Sequence, residues 1–498
     1  MTTDYNDRIE QAAADSADVI DNLTALLRRL GTLAEKAGVE RPGYLAPADL
    51  VAAISARVDI LSAKAAAHNA TLAEGLRTIG YNDTEIEQCL ADVPDLTMAD
   101  IDYARTFAAE VWDESRATYS YGNYVRDAQL RIMPKVDYSA VTQAVAIFQG
   151  LTNIEYFPTL DWPNVTMACF PFHGLAKLHR MPQVNALEVI EIQSLYSTNV
   201  GGNYNRLLPK IINHPKAKNV HGLYANLSPE RLAEEREVNI DFSKVTNAAQ
   251  LFQVNEGNRH LGIGPDHFPI TELTAEAGVN MQQMYDFCTR ITGDQSHVKW
   301  NVPNATNLMM TFREIAATAI DVTGIRTANC TNFGAVFGGC ANLRSLDLST
   351  WDMSSGENLR DMFNAAGIEV LDFSHKRFKE GADLVALCKD MPRLRELILT
   401  DVDFTNTADQ TCIDAYFYNL PSLETIIGPV TGLHNAVYLA DSPLLTVESA
   451  MVIINGLADI TDSGRALGLY LHASAYNRLT PEQIAVATSK GWRVVKNA

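Results

Sequence analysis

Apolar positions along this chain follow two different periods. In residues 6–36 the spacing is helical: Ile20, Leu27 and Ala34 lie seven apart, with Leu23 and Leu30 interleaved. That is an a/d seam of two to three heptads. It fits an oligomerisation seam, a trimer among the options, as well as an amphipathic helix packed on its own domain. Asp15, Asp18 and Asp21 lie early and Arg28 and Arg29 late, as a helix dipole favours. A second helix is expected from Pro47 to Ile79 through Leu50, Ile54, Val58, Ile60 and Leu61. Thr84, with Glu87 at the capping-box position, is expected to start a short helix, and a further helix is expected over 98–118. Residues 1–119 thus read as an all-helical region for attachment or oligomerisation, and 120–138 as a connector with strand-like alternation.

From residue 139 an eight-residue pattern recurs. It opens on a small or apolar residue, continues with Thr and often Asn or Gln, and closes on an aromatic. Copies are VTQAVAIF (141–148), VTMACFPF (165–172), VTNAAQLF (245–252), ATNLMMTF (305–312) and CTNFGAVF (330–337). Looser copies are GVNMQQMY (278–285), GENLRDMF (356–363), GADLVALC (381–388) and QTCIDAYF (410–417). From residue 285 the closing positions step by 27, 25, 26, 25 and 29 residues. Each octad is expected to be a short amphipathic helix with its Thr as N-cap and its aromatic packed beneath a sheet. A strand follows in register: Ile320–Asp321–Val322–Thr323, Leu346–Asp347–Leu348–Ser349, Leu371–Asp372–Phe373–Ser374 and Leu397–Ile398–Leu399–Thr400, with Leu423 to Ile426 continuing. One helix and one strand per unit, at a period of about 20–29 residues, is the leucine-rich-repeat pattern. Two degenerate units are expected between Phe172 and Leu251, with a small inserted helix near Pro229 and another insertion around 271–278.

The best copy, FGGCANLRSLDLSTWD, resembles the BspA-type leucine-rich repeat. The matching residues are Val336, Phe337, Cys340, Leu343, Leu346, Asp347, Leu348, Ser349, Trp351 and Asp352. The resemblance implies an α/β fold: N-terminal helices, a repeat solenoid over 139–440, and a capping module over 441–498. In that module Thr446 starts a helix, 466–472 alternates as a strand, Thr480–Pro481–Glu482–Gln483 starts another helix, and a strand closes the chain. The final residues are similar to the closing module of repeat proteins of gut bacteria and their phages. Proteins with this repeat are surface adhesins of bacteria, or phage and protist surface proteins. MTTDYNDRIEQ has no basic or apolar leader pattern, so no export signal is expected. That favours a phage virion protein, made in the host cytoplasm, over an exported adhesin.

Composition narrows the chemistry. A net charge of −20 argues against nucleic acid and anionic membranes as partners, and no run is long enough to span a bilayer. The seven cysteines form no C-x-x-C pair and read as buried apolar residues. Phosphate-binding, zinc-protease and nucleophile-elbow motifs are missing from the sequence, so neither a catalytic residue nor a metal or cofactor is expected. The candidate binding face is the set of outward residues between the core leucines. Asp321, Asp347 and Asp372 would form one column, and Thr323, Ser349, Ser374 and Thr400 the next. A carboxylate column could draw a cation or a basic partner, or each Asp could instead tie to neighbouring backbone. Expected partners are other virion proteins, the chain itself, and a host-surface protein or glycan. A glycan-degrading enzyme would require paired carboxylates facing one cleft.

Overall fold

The computed structural model describes Thr32 and residues 47–110, 127–197, 206–270, 272–412 and 416–497. The seam residues Ile20, Leu23, Leu27, Leu30 and Ala34 lie outside the described residues, as does 111–118 of the helix expected over 98–118. The chain divides into two compact units, 1–102 and 103–498, and the division falls inside the helix Met98–Glu110.

In the first unit the helix Pro47–Thr78 buries Leu72 and Leu76 near its end, beside Ile79, Ile86, Cys89 and Ile101. The short helix Asp83–Asp92 is capped two residues earlier than its sequence suggests. Asn82 Oδ1 accepts from Glu85 N at 3.0 Å, and Glu85 Oε2 accepts from Asn82 N at 2.9 Å. Thr84 and Glu87 therefore sit inside the helix; Asn82 provides a reciprocal cap that Thr84 would duplicate.

The second unit carries the repeats, and the octads are not helices. Within 330–337 the main-chain donors at alternate positions run to the next unit rather than back along the chain. Phe333 N donates to Asn358 O at 2.7 Å, Ala335 N to Arg360 O at 2.8 Å and Phe337 N to Met362 O at 3.0 Å. The sixth octad position is left-handed in unit after unit: Ala146, Phe170, Gln250, Gln283, Met310, Ala335, Asp361 and Ala386 all have φ between 50° and 58°, as does Ser194, which follows Gln193, the partner of Cys169, in the first degenerate unit. A left-handed residue breaks a right-handed helix, so each octad becomes a chain of turns. The expected Thr cap is replaced by an Asx turn at the third position. Asn307, Asn332 and Asn358 each accept, through Oδ1, the N–H two residues on at 3.0 Å; Asp383 does so at 2.9 Å. These side chains head a parallel ladder, Asn219–Asn247–Asn280–Asn307–Asn332–Asn358–Asp383.

Beneath it the closing aromatics stack. Tyr285–Phe312, Phe312–Phe337 and Phe337–Phe363 have ring centroids 6.3, 5.8 and 5.9 Å apart, with ring planes within 8°. The two degenerate units also contribute, through Tyr196 and Tyr224, 6.5 Å apart. Cys288, Cys330 and Cys340 are buried free thiols. Cys340 Sγ donates to Phe312 O at 3.0 Å, and burial pushes its pKa up to about 12.

On the strand side the leucines hold the expected register. Leu371 pairs with Leu397 and Leu397 with Ile426 in parallel strands. The segments 320–323 and 346–349, expected as strands, are not strands; just before them single bonds keep the register, Arg344 N to Thr318 O at 3.2 Å and Glu369 N to Arg344 O at 3.1 Å. A neighbouring ladder joins Leu160–Asp161, Val184–Asn185, Ile211–Asn213 and Glu237–Asn239, then stops; the next begins at Glu272–Thr274, paired to Lys299–Asn301. The short helix Pro229–Ala233 and the 3-10 turn Glu256–Leu261 are inserted at this break. The chain closes with helix Val447–Gly456 capped by Thr446, strand Gly468–His472, helix Pro481–Ser489 with the Thr480–Gln483 capping box, and strand Arg493–Asn497. The last strand pairs in parallel with Gly468–His472, which pairs with Val437–Leu439. Among the described residues, no helix is long and apolar enough to cross a membrane.

Candidate functional site

The strand-side quartets Leu346–Asp347–Leu348–Ser349 and Leu371–Asp372–Phe373–Ser374 lie one unit apart. The leucines and Phe373 point into the core, so Asp347, Ser349, Asp372 and Ser374 are left on the outer face. There they line one open cleft of about 540 Å³ with Asp352, Ser354, His375, Lys376 and Arg377. The cleft therefore gathers four of the seven residues expected to form a binding face. Asp321 and Thr323, one unit before, and Thr400, one unit after, do not line it.

The aspartates do not form a bare carboxylate column. Asp347 Oδ1 accepts from Ser349 N at 2.8 Å, Asp372 Oδ1 from Ser374 N at 2.9 Å, and Asp321 Oδ1 from Thr323 N at 2.9 Å. Each thus closes an Asx turn, and Asp372 does so at the end of the strand Val370–Asp372. The hydrogen bonds from Ser349 hold the Asp347 carboxyl below the usual carboxylate range. Among the described residues, no group of three or more His, Cys, Asp or Glu side chains is placed to hold a metal ion.

Lys376, at the base of the cleft, is the feature that the sequence reading missed. It is 6% exposed, and its Nζ donates to Leu348 O and Trp351 O, both at 2.8 Å. Burial lowers its pKa, while Asp372, Asp352 and Asp347 pull it back up. At the rim, Arg377 Nη2 holds Asp401 at 3.0 and 3.1 Å, and His375 Nδ1 lies 3.3 Å from Asp401 Oδ2. A signal was present in the aligned quartets: LSTWD, FSHKR and LTDVD place Trp351, Lys376 and Val402 at one position. A lysine there stands in an apolar slot.

The cleft thus offers acceptors (Asp347, Asp352, Asp372), hydroxyls that both donate and accept (Ser349, Ser354, Ser374), and donors (Arg377, His375) within one concave surface. Such a surface can hydrogen-bond a polyhydroxylated ligand or a basic polar segment. His173 and His179, six apart in sequence, are not part of it.

A family model described as "Mycoplasma protein of unknown function, DUF285" matches residues 279–387, the segment that contains the whole cleft. No curated protein matches the chain.

Proposed function

We propose that this chain is a non-enzymatic structural protein of a bacteriophage virion, a fibre, tail or head-decoration component. In this reading its N-terminal helices attach it to other virion proteins or to further copies of itself. The repeats form a BspA-type leucine-rich-repeat solenoid that presents the Asp347–Asp372 cleft to a host-surface glycan or protein.

The observation that supports the binding role is the cleft itself: a concave outer surface with carboxylates, hydroxyls and a guanidinium set over a buried ammonium. Saccharide recognition uses alternating donors and acceptors of this kind, held rigidly by the backbone. The stacked ladders supply that rigidity, since the Asx turns that fix Asp347 and Asp372 are bonded to their own main chain.

A second reading, a bacterial cell-surface BspA-like adhesin, uses the same cleft. It is favoured by the match of 279–387 to a family described from Mycoplasma, a cellular organism. Gold-labelled antibody against the full chain, applied to purified particles of the encoding phage and separately to intact bacteria, tests the choice. Label on particles alone supports the virion reading. Label confined to the cell envelope rejects it in favour of the adhesin.

A further inference from the structure

The interrupted strand-side ladder leaves one edge unused. Glu237 N donates to Lys210 O at 2.8 Å and Asn239 O accepts from His214 N at 2.9 Å, so both residues direct main-chain groups toward Ile211–Asn213. Alternate residues of a strand direct these groups to opposite sides, so the N–H and C=O of Val238 face the break. On the far side, Glu272–Thr274 is bonded to Lys299–Asn301 and to no other described strand. The octad-side ladder runs past this point unbroken through Asn219, Asn247 and Asn280. The gap therefore belongs to one face of the stack.

A cleft of about 490 Å³ opens at the break. Its walls are apolar, from Val238, Ile240, Phe242 and Ile270, and the ladder rings Tyr224 and Phe252 also line it. Val238 is 43% exposed. The rim is acidic, with Glu234, Glu235 and Glu272. Glu235, Glu237 and Glu272 form no salt bridge among the described residues. Arg236, the cation in the lining, donates to the main-chain carbonyls of Arg231 and Leu232 and lies 3.8 Å from Glu234, which Arg231 also pairs, so Glu235 and Glu272 carry the rim's free charge.

We infer that this gap accepts one extended peptide segment of a partner protein, which adds as a strand along Glu237–Asn239. An apolar side chain of the segment enters the cleft, and basic side chains flanking it meet the glutamate rim. Main-chain hydrogen bonds to Val238 supply affinity, and the apolar pocket and acidic rim supply selectivity. This site is separate from the Asp347–Asp372 cleft and does not depend on the role given to that cleft.

Fluorescence anisotropy on the full chain tests it, with a fluorescein-labelled Lys-Val-Lys-Ile-Lys-Val-Lys peptide as probe. The expected result is saturable binding, weakened about tenfold or more when the central isoleucine and its neighbours are N-methylated, and similarly by Glu235→Lys with Glu272→Lys. Both glutamates are exposed, so the double variant is expected to keep the native circular dichroism spectrum. Hydrogen exchange at 237–240 should slow when the probe is bound. Three results would overturn the inference: no saturable binding to the unaltered chain, equal binding of the N-methylated probe, or unchanged binding by the double variant. The first denies a site, the second leaves charge alone, and the third places the probe elsewhere.

Discussion

Lys376 and Trp351 occupy the same place in successive units and make the same bond. Trp351 Nε1 donates to Val322 O at 3.2 Å, and Lys376 Nζ donates to Leu348 O at 2.8 Å, one unit further along. Each adds a second bond to a carbonyl that already accepts a turn N–H, Ile325 N on Val322 O and Trp351 N on Leu348 O, both at 3.0 Å. Lys376 adds a second bond, to Trp351 O at 2.8 Å, and so ties the two units together. Replacing it with methionine keeps the volume and removes both donors. Leu348 O keeps its bond from Trp351 N at 3.0 Å, so Lys376→Met takes the donor from Trp351 O and is expected to cost about 1–3 kcal/mol, read as a lower urea midpoint. Lys376→Trp should recover part of the loss if the shared slot is the reason for the lysine. An unchanged midpoint in Lys376→Met would show that the ammonium is not needed there.

The Asn ladder makes a sharper distinction between similar residues. Asn332 Oδ1 accepts from Gly334 N at 3.0 Å and from Asn358 Nδ2 at 3.1 Å. A Cβ at Gly334 would lie 2.7 Å from Asn358 Nδ2, so a larger residue there would have to displace that amide. Asn332→Ala is expected to lose about 1–2 kcal/mol by thermal or urea unfolding. Asn332→Asp should lose far less, because Asp383 already closes the same turn to Val385 N at 2.9 Å. Equal losses in the two variants would mean that the side-chain oxygen is not what holds the turn.

His214 gives the fold a pH dependence of known sign. It is 0% exposed, stacks on Tyr196 with ring centroids 6.4 Å apart, and burial lowers its pKa from 6.5 to about 4. The unfolded chain therefore binds a proton in the window between these values that the folded chain does not. Stability is full above pH 6.5 and falls as the pH drops toward 4, by up to about 3 kcal/mol. His214→Phe keeps a stacked ring and removes the titration. Urea midpoints measured across pH 4 to 7 should show a flatter acid limb in the variant. Parallel curves would assign the acid loss to other groups.

The repeat register was readable from sequence, while the conformation of its octad was not. Cys330, Phe333, Val336 and Phe337 are spaced as on one face of a helix, and they do all point inward. Two left-handed residues, Ala335 at φ 50° and Gly339 at φ 72°, produce the same inward set from consecutive turns. Hydrophobic spacing cannot separate the two solutions. The left-handed site has no residue signature either, since Phe170, Ser194, Gln283, Met310 and Asp361 all occupy it. The cost at each site is offset by bonds to the next unit, a non-local term that local propensity does not contain. In the cleft, Asp347 and Asp372 were legible because apolar and polar residues alternate in each quartet, and burial alternates with them. Lys376 was not, because it fills a core slot, and Arg377 lies beyond the four-residue pattern that carries the alternation.

The central claim is that the Asp347–Asp372 cleft binds a polar ligand. Its most direct measurement is binding of the full chain to a glycan array and to intact host cells, compared with the Asp347→Asn, Asp372→Asn double variant. Asparagine keeps the Oδ1 acceptor that closes each turn, so the variant changes charge without breaking the turns. The account predicts that the unaltered chain binds and that the variant binds about tenfold or more weakly with an unchanged unfolding midpoint. Equal binding by the two proteins, or no binding by the unaltered chain to either surface, would contradict it.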